Sequence, residues 1–218
     1  MTAPRKRVVV FISGGGSNMM ALLAATEAAD FPAEIVGVIS DKASAGGLAK
    51  AEAKGIPTFV FERKFYAGKA EHEAAVLAKL GEIAPDLICL AGYMRLLSAD
   101  FIRSYEGRIL NIHPSLLPLF PGLHTHQRAI DAGMKVAGCT VHFVTEGMDE
   151  GPVIAQSVVP VLIDDTPETL AARVLTVEHQ TYAAALKLVA SGKVSMRGDG
   201  SVERLSSETD PAGRLISA

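Results

Sequence analysis

Two cysteines in 218 residues are too few for a disulfide framework. Cys89 and Cys139 stand alone in the apolar runs LICLAG and AGCTVHF, and no CxxC occurs, so they read as small buried hydrophobes rather than a zinc or redox pair. Surplus positive charge is lacking as well. The 21 Lys and Arg are outnumbered by 24 Asp and Glu, a formal charge of −3. No global positive field is available to draw counterion-release energy from a phosphate backbone, which excludes nucleic acid as the main partner. No apolar run approaches the ~18 residues of a membrane span. The run after the basic start MTAPRKR is broken by glycines before it reaches the ~7–15 residues of a signal h-region. These absences predict a cytoplasmic protein.

What is present fits a globular chain. Hydrophobic residues make up 49% and charged residues 21%, and the 20 glycines and 11 prolines stay below the ~25–30% that marks low complexity. A chain of this length buries somewhat more than ~70% of its unfolded surface, so it needs no staples. One domain, or one domain with a tail, is expected. Apolar runs alternate with helical periods, the pattern of parallel strands joined by crossover helices. Strands are predicted at Val8–Ile12, Ile35–Ser40, Thr58–Phe61, Leu87–Ala91, Arg108–Ile112, Cys139–Val144 and Val153–Pro160. Helices are predicted at Asn18–Ala29, Gly47–Lys54, Lys69–Ile83, Thr125–Ala132 and Glu168–Ser191. The early strands are solidly apolar and the later ones alternate. The expectation is a three-layer, Rossmann-like α/β fold: a mostly parallel sheet, helices on both faces, and an antiparallel C-terminal edge. After Ser191 the chain turns polar and glycine-rich, and its last stretch is expected to be poorly ordered.

In such sheets ligands bind beyond the carboxyl ends of the strands. The first strand runs into Gly14, Gly15, Gly16, Ser17 and Asn18 and then a helix, an arrangement suited to an anion; a tight turn without a ligand is the alternative. The loop has no Walker lysine, and Met19 stands where the third glycine of a dinucleotide motif would be. Asp41, after the second strand, is nevertheless the acid a dinucleotide site would use. Asn111 and His113 lie two apart at a strand end and therefore face the same way. An amide donor beside an imidazole suits a reaction that develops charge on oxygen, against the plainer reading of a turn cap and a packed ring. In TEGMDEGPVIAQ, Asp149 is a candidate to orient that imidazole, with Glu146 and Glu150 as equally acidic neighbours in what also reads as a hairpin turn. His113, His124, His126, His142 and Asp149 have no metal-motif spacing, and no metal is expected.

The segments ISGGGSN, LAGYMRLLS, LNIHPSLLPLFPGLHTHQRAI, TVHFVTEGMDEGPVIAQ and RVLTVEHQTYAAAL, in order over about residues 7 to 195, resemble the phosphoribosylglycinamide formyltransferase family of folate-dependent formyltransferases. NIHPSLLP is common to the wider superfamily, whereas GGGSN, LHTH and the late VEH are particular to this branch. The resemblance implies transfer of a formyl group from 10-formyltetrahydrofolate, as co-substrate, to the amine of 5-phosphoribosylglycinamide in purine biosynthesis. It implies Asn111, His113 and Asp149 as catalytic residues. It assigns Gly15, Gly16, Ser17 and Asn18 to the substrate phosphate and Glu178 to the glycinamide end. Folate would be met by Lys69, Met94, Arg95, Leu96, Leu97, Asn111, Thr145, Glu146, Gly147, Met148 and Asp149. Lys69 aligns with an arginine of some members, a point charge in place of a planar fork. The expected partners are small molecules, with no nucleic acid and no membrane, and a homodimer is left open. The expected organisation is a catalytic domain over 1–195 and a tail over 196–218. That leaves no room for the preceding regulatory domain of hydrolytic relatives or the following basic domain of tRNA formylases.

Overall fold

The computed structural model describes residues 4–204. The part of the expected tail from residue 205 onward lies outside the described residues. Strands β1 (Lys6–Ile12), β2 (Ala33–Ser40), β3 (Thr58–Val60), β4 (Leu87–Leu90), β5 (Ile109–His113), β6 (Val136–Phe143) and β7 (Val153–Pro160) form one sheet. Their order is β3-β2-β1-β4-β5-β6-β7. Helices α1 (Ser17–Thr26), α2 (Gly46–Glu52), α3 (Lys69–Ile83), α4 (Ala99–Ser104), α5 (Thr125–Asp131) and α6 (Pro167–Ala190) complete an α/β fold with a mostly parallel, mixed sheet, as expected. The chain divides into two compact units after Leu110, within β5.

In the first unit Val8, Val9, Val10, Phe11 and Ile12 of β1 are all 0% exposed, the condition for a solidly apolar strand. β1 pairs in parallel with β2 on one side and β4 on the other, and β3 adds in parallel outside β2. Strand order therefore reverses between β1 and β4, and the loops after these two strands flank the switch point. Helix α3 has the predicted bounds and buries Val76 and Leu80, one turn apart. Helix α4 was not predicted, because six residues are too short to display a period. It is started by Ser98, whose hydroxyl accepts from the Phe101 N–H at 3.2 Å, and it buries Phe101 and Ile102.

In the second unit β6 and β7 pair antiparallel from Val136↔Pro160 to His142↔Val153, with a register shift between Val141 and His142. The predicted β6 began at Cys139 because Gly138 reads as a break. Glycine is required there, since a Cβ would lie 1.9 Å from the Ser157 carbonyl oxygen across the pair. Helix α6 opens with a capping box between Thr166 and Thr169 and a proline in its first turn. It packs on β6 and β7 and buries Leu170, Val174, Tyr182 and Leu186. Cys89 and Cys139 are both buried, and burial pushes the Cys139 thiol up to about 11. In the polar segment after Ser191, Val194–Met196 and Val202–Arg204 pair as a hairpin, β8–β9, of strands too short to be seen in the sequence.

Two glycines separate propensity from packing. A Cβ on Gly81, within α3, meets nothing within 4 Å, so Gly81→Ala should stabilise the protein by about 0.5–1 kcal/mol. Gly138→Ala should destabilise it by about 1–3 kcal/mol. Urea midpoints check both, and shifts of the same sign would contradict the assignment.

Candidate active site

The glycine turn after β1 is built for close approach. Gly16 is the N-cap of α1 with φ 71°, a conformation that favours glycine, and a Cβ there would lie 2.9 Å from the Gly47 Cα. The Gly47 N–H donates to the Gly14 carbonyl at 3.0 Å, and Lys50 Nζ donates to the Gly15 carbonyl at 2.9 Å. With those carbonyls occupied and Gly14, Gly15 and Ser17 exposed, the turn presents the first N–H groups of α1, which have no acceptor within the helix. An anion fits such a turn.

The segment after β4 is tied to the same turn. Ser13 donates its N–H to the Gly92 carbonyl at 3.1 Å, and its hydroxyl accepts from the Met94 N–H at 2.9 Å. Asp41 accepts the Ser13 hydroxyl at 2.5 Å on one carboxylate oxygen and Arg95 Nε at 2.7 Å on the other. The acid that a dinucleotide site would turn toward a ribose is thus engaged internally and only 3% exposed. Lys69, the first residue of α3, stands 3.8 Å from Glu73, which also accepts the Ser98 N–H at 2.9 Å. Glu73 thus joins the start of α3 to Ser98, the residue after the Met94–Leu97 segment, in which Met94 and Leu96 are exposed. Ser13 stands in the sequence only as the first residue of the strand-end loop, with no role of its own, and Glu73 carries no motif that would single it out.

In the second unit the end of β5 meets the loop between β6 and β7. His113 has one ring nitrogen, Nε2, 3.1 Å from the Phe120 carbonyl and the other, Nδ1, 3.4 Å from Asp149 Oδ2. Both nitrogens face acceptor oxygens, so the ring is held in place from its two ends. Asp149 also accepts the Gly122 N–H at 2.8 Å and sits at φ 59°, a strained conformation for a non-glycine residue. Of the acids in its loop, Asp149 faces His113. The Glu150 carboxylate instead lies 2.1 Å from where a Cβ of Gly147 would be. Ser115, the hydroxyl nearest in sequence, donates to the Leu119 carbonyl at 2.7 Å. Glu178 is buried on α6, and Met148 is exposed in the loop.

His142 is the member that sequence reasoning missed, having weighed it only as a metal ligand. It is 2% exposed and stands on β6 opposite the register shift of the β6–β7 pair, where β7 carries one extra residue, Ile154. Its Nδ1 is 2.9 Å from the Phe143 carbonyl, which can only accept, so Nδ1 carries the hydrogen. Nε2 is then an acceptor, 3.1 Å from the Asn111 amide nitrogen. Burial holds His142 below the usual histidine range, outweighing the Phe143 carbonyl and Asp149. A neutral His142 therefore fixes which end of the Asn111 amide is the donor. Among the described residues no group of three His, Cys, Asp or Glu is placed to hold a metal ion, and no helix is long and apolar enough to cross a membrane.

An amide donor and an imidazole–carboxylate pair at a strand end, with the Ser115 hydroxyl engaged elsewhere, are the groups of an α/β enzyme. The formyl transferase family model matches residues 6–186. The trifunctional purine biosynthetic protein adenosine-3 of Gallus gallus is 50% identical over 196 residues, 90% of this chain, and the chain spans only 20% of that protein's length. The phosphoribosylglycinamide formyltransferase of Haemophilus influenzae is 43% identical over 192 residues, 88% of this chain and 91% of that one. The crystal structure of phosphoribosylglycinamide formyltransferase from Brucella melitensis is 71% identical, with a TM-score of 0.84 over 86% of this chain and 97% of that one. The chain belongs to the formyl transferase family, within the phosphoribosylglycinamide formyltransferases.

His126, His142 and His179 all have pKa values lowered chiefly by burial. The unfolded chain, whose histidines titrate near ~6.5, then binds protons that the folded chain refuses. Stability contributed by these groups is complete above that pH and is lost as pH falls below it. Thermal midpoints should drop from pH 7.5 to 5, less steeply in His179→Leu; an unchanged slope would remove His179 from this account.

Proposed function

We propose that the enzyme transfers the formyl group of 10-formyltetrahydrofolate to the amine of 5-phosphoribosylglycinamide, a step of purine biosynthesis. The observation that carries this reading is the placement of Asn111 and His113 side by side, with Asp149 against His113 Nδ1. The neutral amine attacks the formyl carbon and gives a tetrahedral species with negative oxygen and positive nitrogen. Asn111, its amide oriented by His142, donates to that oxygen, and His113, beside the Asp149 carboxylate, stabilises it as imidazolium. The carbon–N10 bond then breaks, and the amine's proton passes by way of Asp149 and water to N10 of the departing folate. No covalent enzyme intermediate is needed, in agreement with the engagement of the Ser115 hydroxyl.

The substrate phosphate is assigned to Gly15, Gly16, Ser17 and Asn18, and the glycinamide end to Glu178. The folate is assigned to Lys69, Met94 to Leu97, Asn111 and Thr145 to Asp149, where exposed Met94, Leu96 and Met148 suit an apolar ring. Catalysis is attributed to residues 1–195, with 196–218 as a tail, and the cytoplasm is the compartment of this reading.

Turnover measured with both substrates tests it. Asn111→Ala should lower kcat by two or more orders of magnitude, the loss of about 2.7–4 kcal/mol expected for one oxyanion donor, with KM values nearly intact. Folate deformylation at the same rate without glycinamide ribonucleotide would overturn the assignment. His142→Ala should also lower kcat, but should add little in the Asn111→Ala background, because it acts through that amide. Additive losses would separate the two. Gly15 has open space at its Cβ and no positive φ, so Gly15→Ala should fold normally. It should raise KM for the phosphorylated substrate and spare the folate; equal effects on both would make the turn structural.

A further inference from the structure

The function proposed above leaves Asp41 unused. It is the acid at the end of β2 whose side chain is 1% exposed, paired with an Arg95 side chain that is 46% exposed. We propose that Asp41 is a positioning residue for the folate half of the site, acting through Arg95 and Ser13 rather than on any substrate atom. This rests on the assignment of Met94 to Leu97 to folate.

The geometry gives Asp41 two tasks on two oxygens. Oδ1 accepts the Ser13 hydroxyl, which in turn accepts the Met94 N–H and so fixes the backbone at the start of the segment. Oδ2 accepts Arg95 Nε. Held by Nε, a guanidinium keeps its outer fork of Nη donors, the edge that matches a planar anionic or carbonyl acceptor. Ser13 also immediately precedes the glycine turn, and its N–H is bonded to the Gly92 carbonyl. One buried carboxylate thereby sets the loops after β1 and β4 in a common register.

The charge and the shape of Asp41 separate experimentally. Asp41→Asn keeps an acceptor for Ser13 and loses the charged partner of Arg95, whose exposed guanidinium can be solvated, so the fold should survive. The probe is tetrahydrofolate, titrated against the full chain by calorimetry, alongside steady-state KM values for both substrates. Asp41→Asn should weaken tetrahydrofolate binding and raise the folate KM about tenfold, with the glycinamide ribonucleotide KM within about twofold and kcat changed far less than the folate KM. In an Arg95→Met background, adding Asp41→Asn should cause no further loss.

Unchanged folate binding in Asp41→Asn overturns the proposal. So does an equal rise in both KM values, which is the mark of a general structural role. If the wild-type chain does not bind tetrahydrofolate at all, the functional reading fails and this inference falls with it.

Discussion

A parallel strand covered on both faces can carry no polar side chain along its length, so its chemistry is confined to its ends. β1 obeys this constraint fully: five consecutive apolar residues are buried, and the first polar groups the chain can offer are Ser13 and the glycines behind it. The same confinement loads the ends of its parallel neighbours. Asp41 follows β2 and Arg95 follows β4, and because all three strands run the same way these residues arrive at one edge. Crowding there is what makes internal bonding between loops necessary. Each loop satisfies its backbone and buried polar groups with atoms of the next.

The second unit reaches a polar cluster by another route. Asn111 and His113 end β5, and their partners come from an antiparallel pair of strands and the loop that joins them. The register shift at His142 and the left-handed backbone at Asp149 are two local departures from regular geometry in that pair, and both fall on residues that touch Asn111 or His113. Strained backbone persists where its surroundings over-determine it. Here the Gly122 N–H and His113 Nδ1 both meet the Asp149 carboxylate at Oδ2. Burial holds His142 below the usual histidine range while its neighbour His113 stands against the Asp149 carboxylate, so two histidines in one cluster meet different environments.

The long elements were legible in the sequence because their periods are long enough to read. Helix α3 and strand β7 appear at the predicted bounds, and β1, β2 and α6 within one or two residues. What escaped was short or disguised: the six residues of α4, the three-residue strands of the C-terminal hairpin, and the N-terminal part of β6, hidden by a glycine that the neighbouring strand requires. The polar residues divide similarly. Asn111, His113 and the glycine turn announce themselves by position at strand ends. His142 lies inside an apolar run and reads as core, and Glu73 reads as an ordinary exposed helix position. Asp41 was visible as a candidate acid, but with the wrong partner, because a sequence shows that a carboxylate ends a strand and not what has been brought to it.

By itself the sequence determined the fold class, the ends of the strands as the place where polar groups gather, and the kinds of groups available there. Hydrophobic periodicity and glycine placement are local properties, and they survive in one dimension. Only the tertiary structure decided which carboxylate faces His113, which way the Asn111 amide is turned, and that Asp41 is spent on Ser13 and Arg95. Those are choices among chemically equivalent candidates tens of residues apart. They are made by strand order, a register shift and a few ångströms of approach, quantities that have no value until the chain is folded.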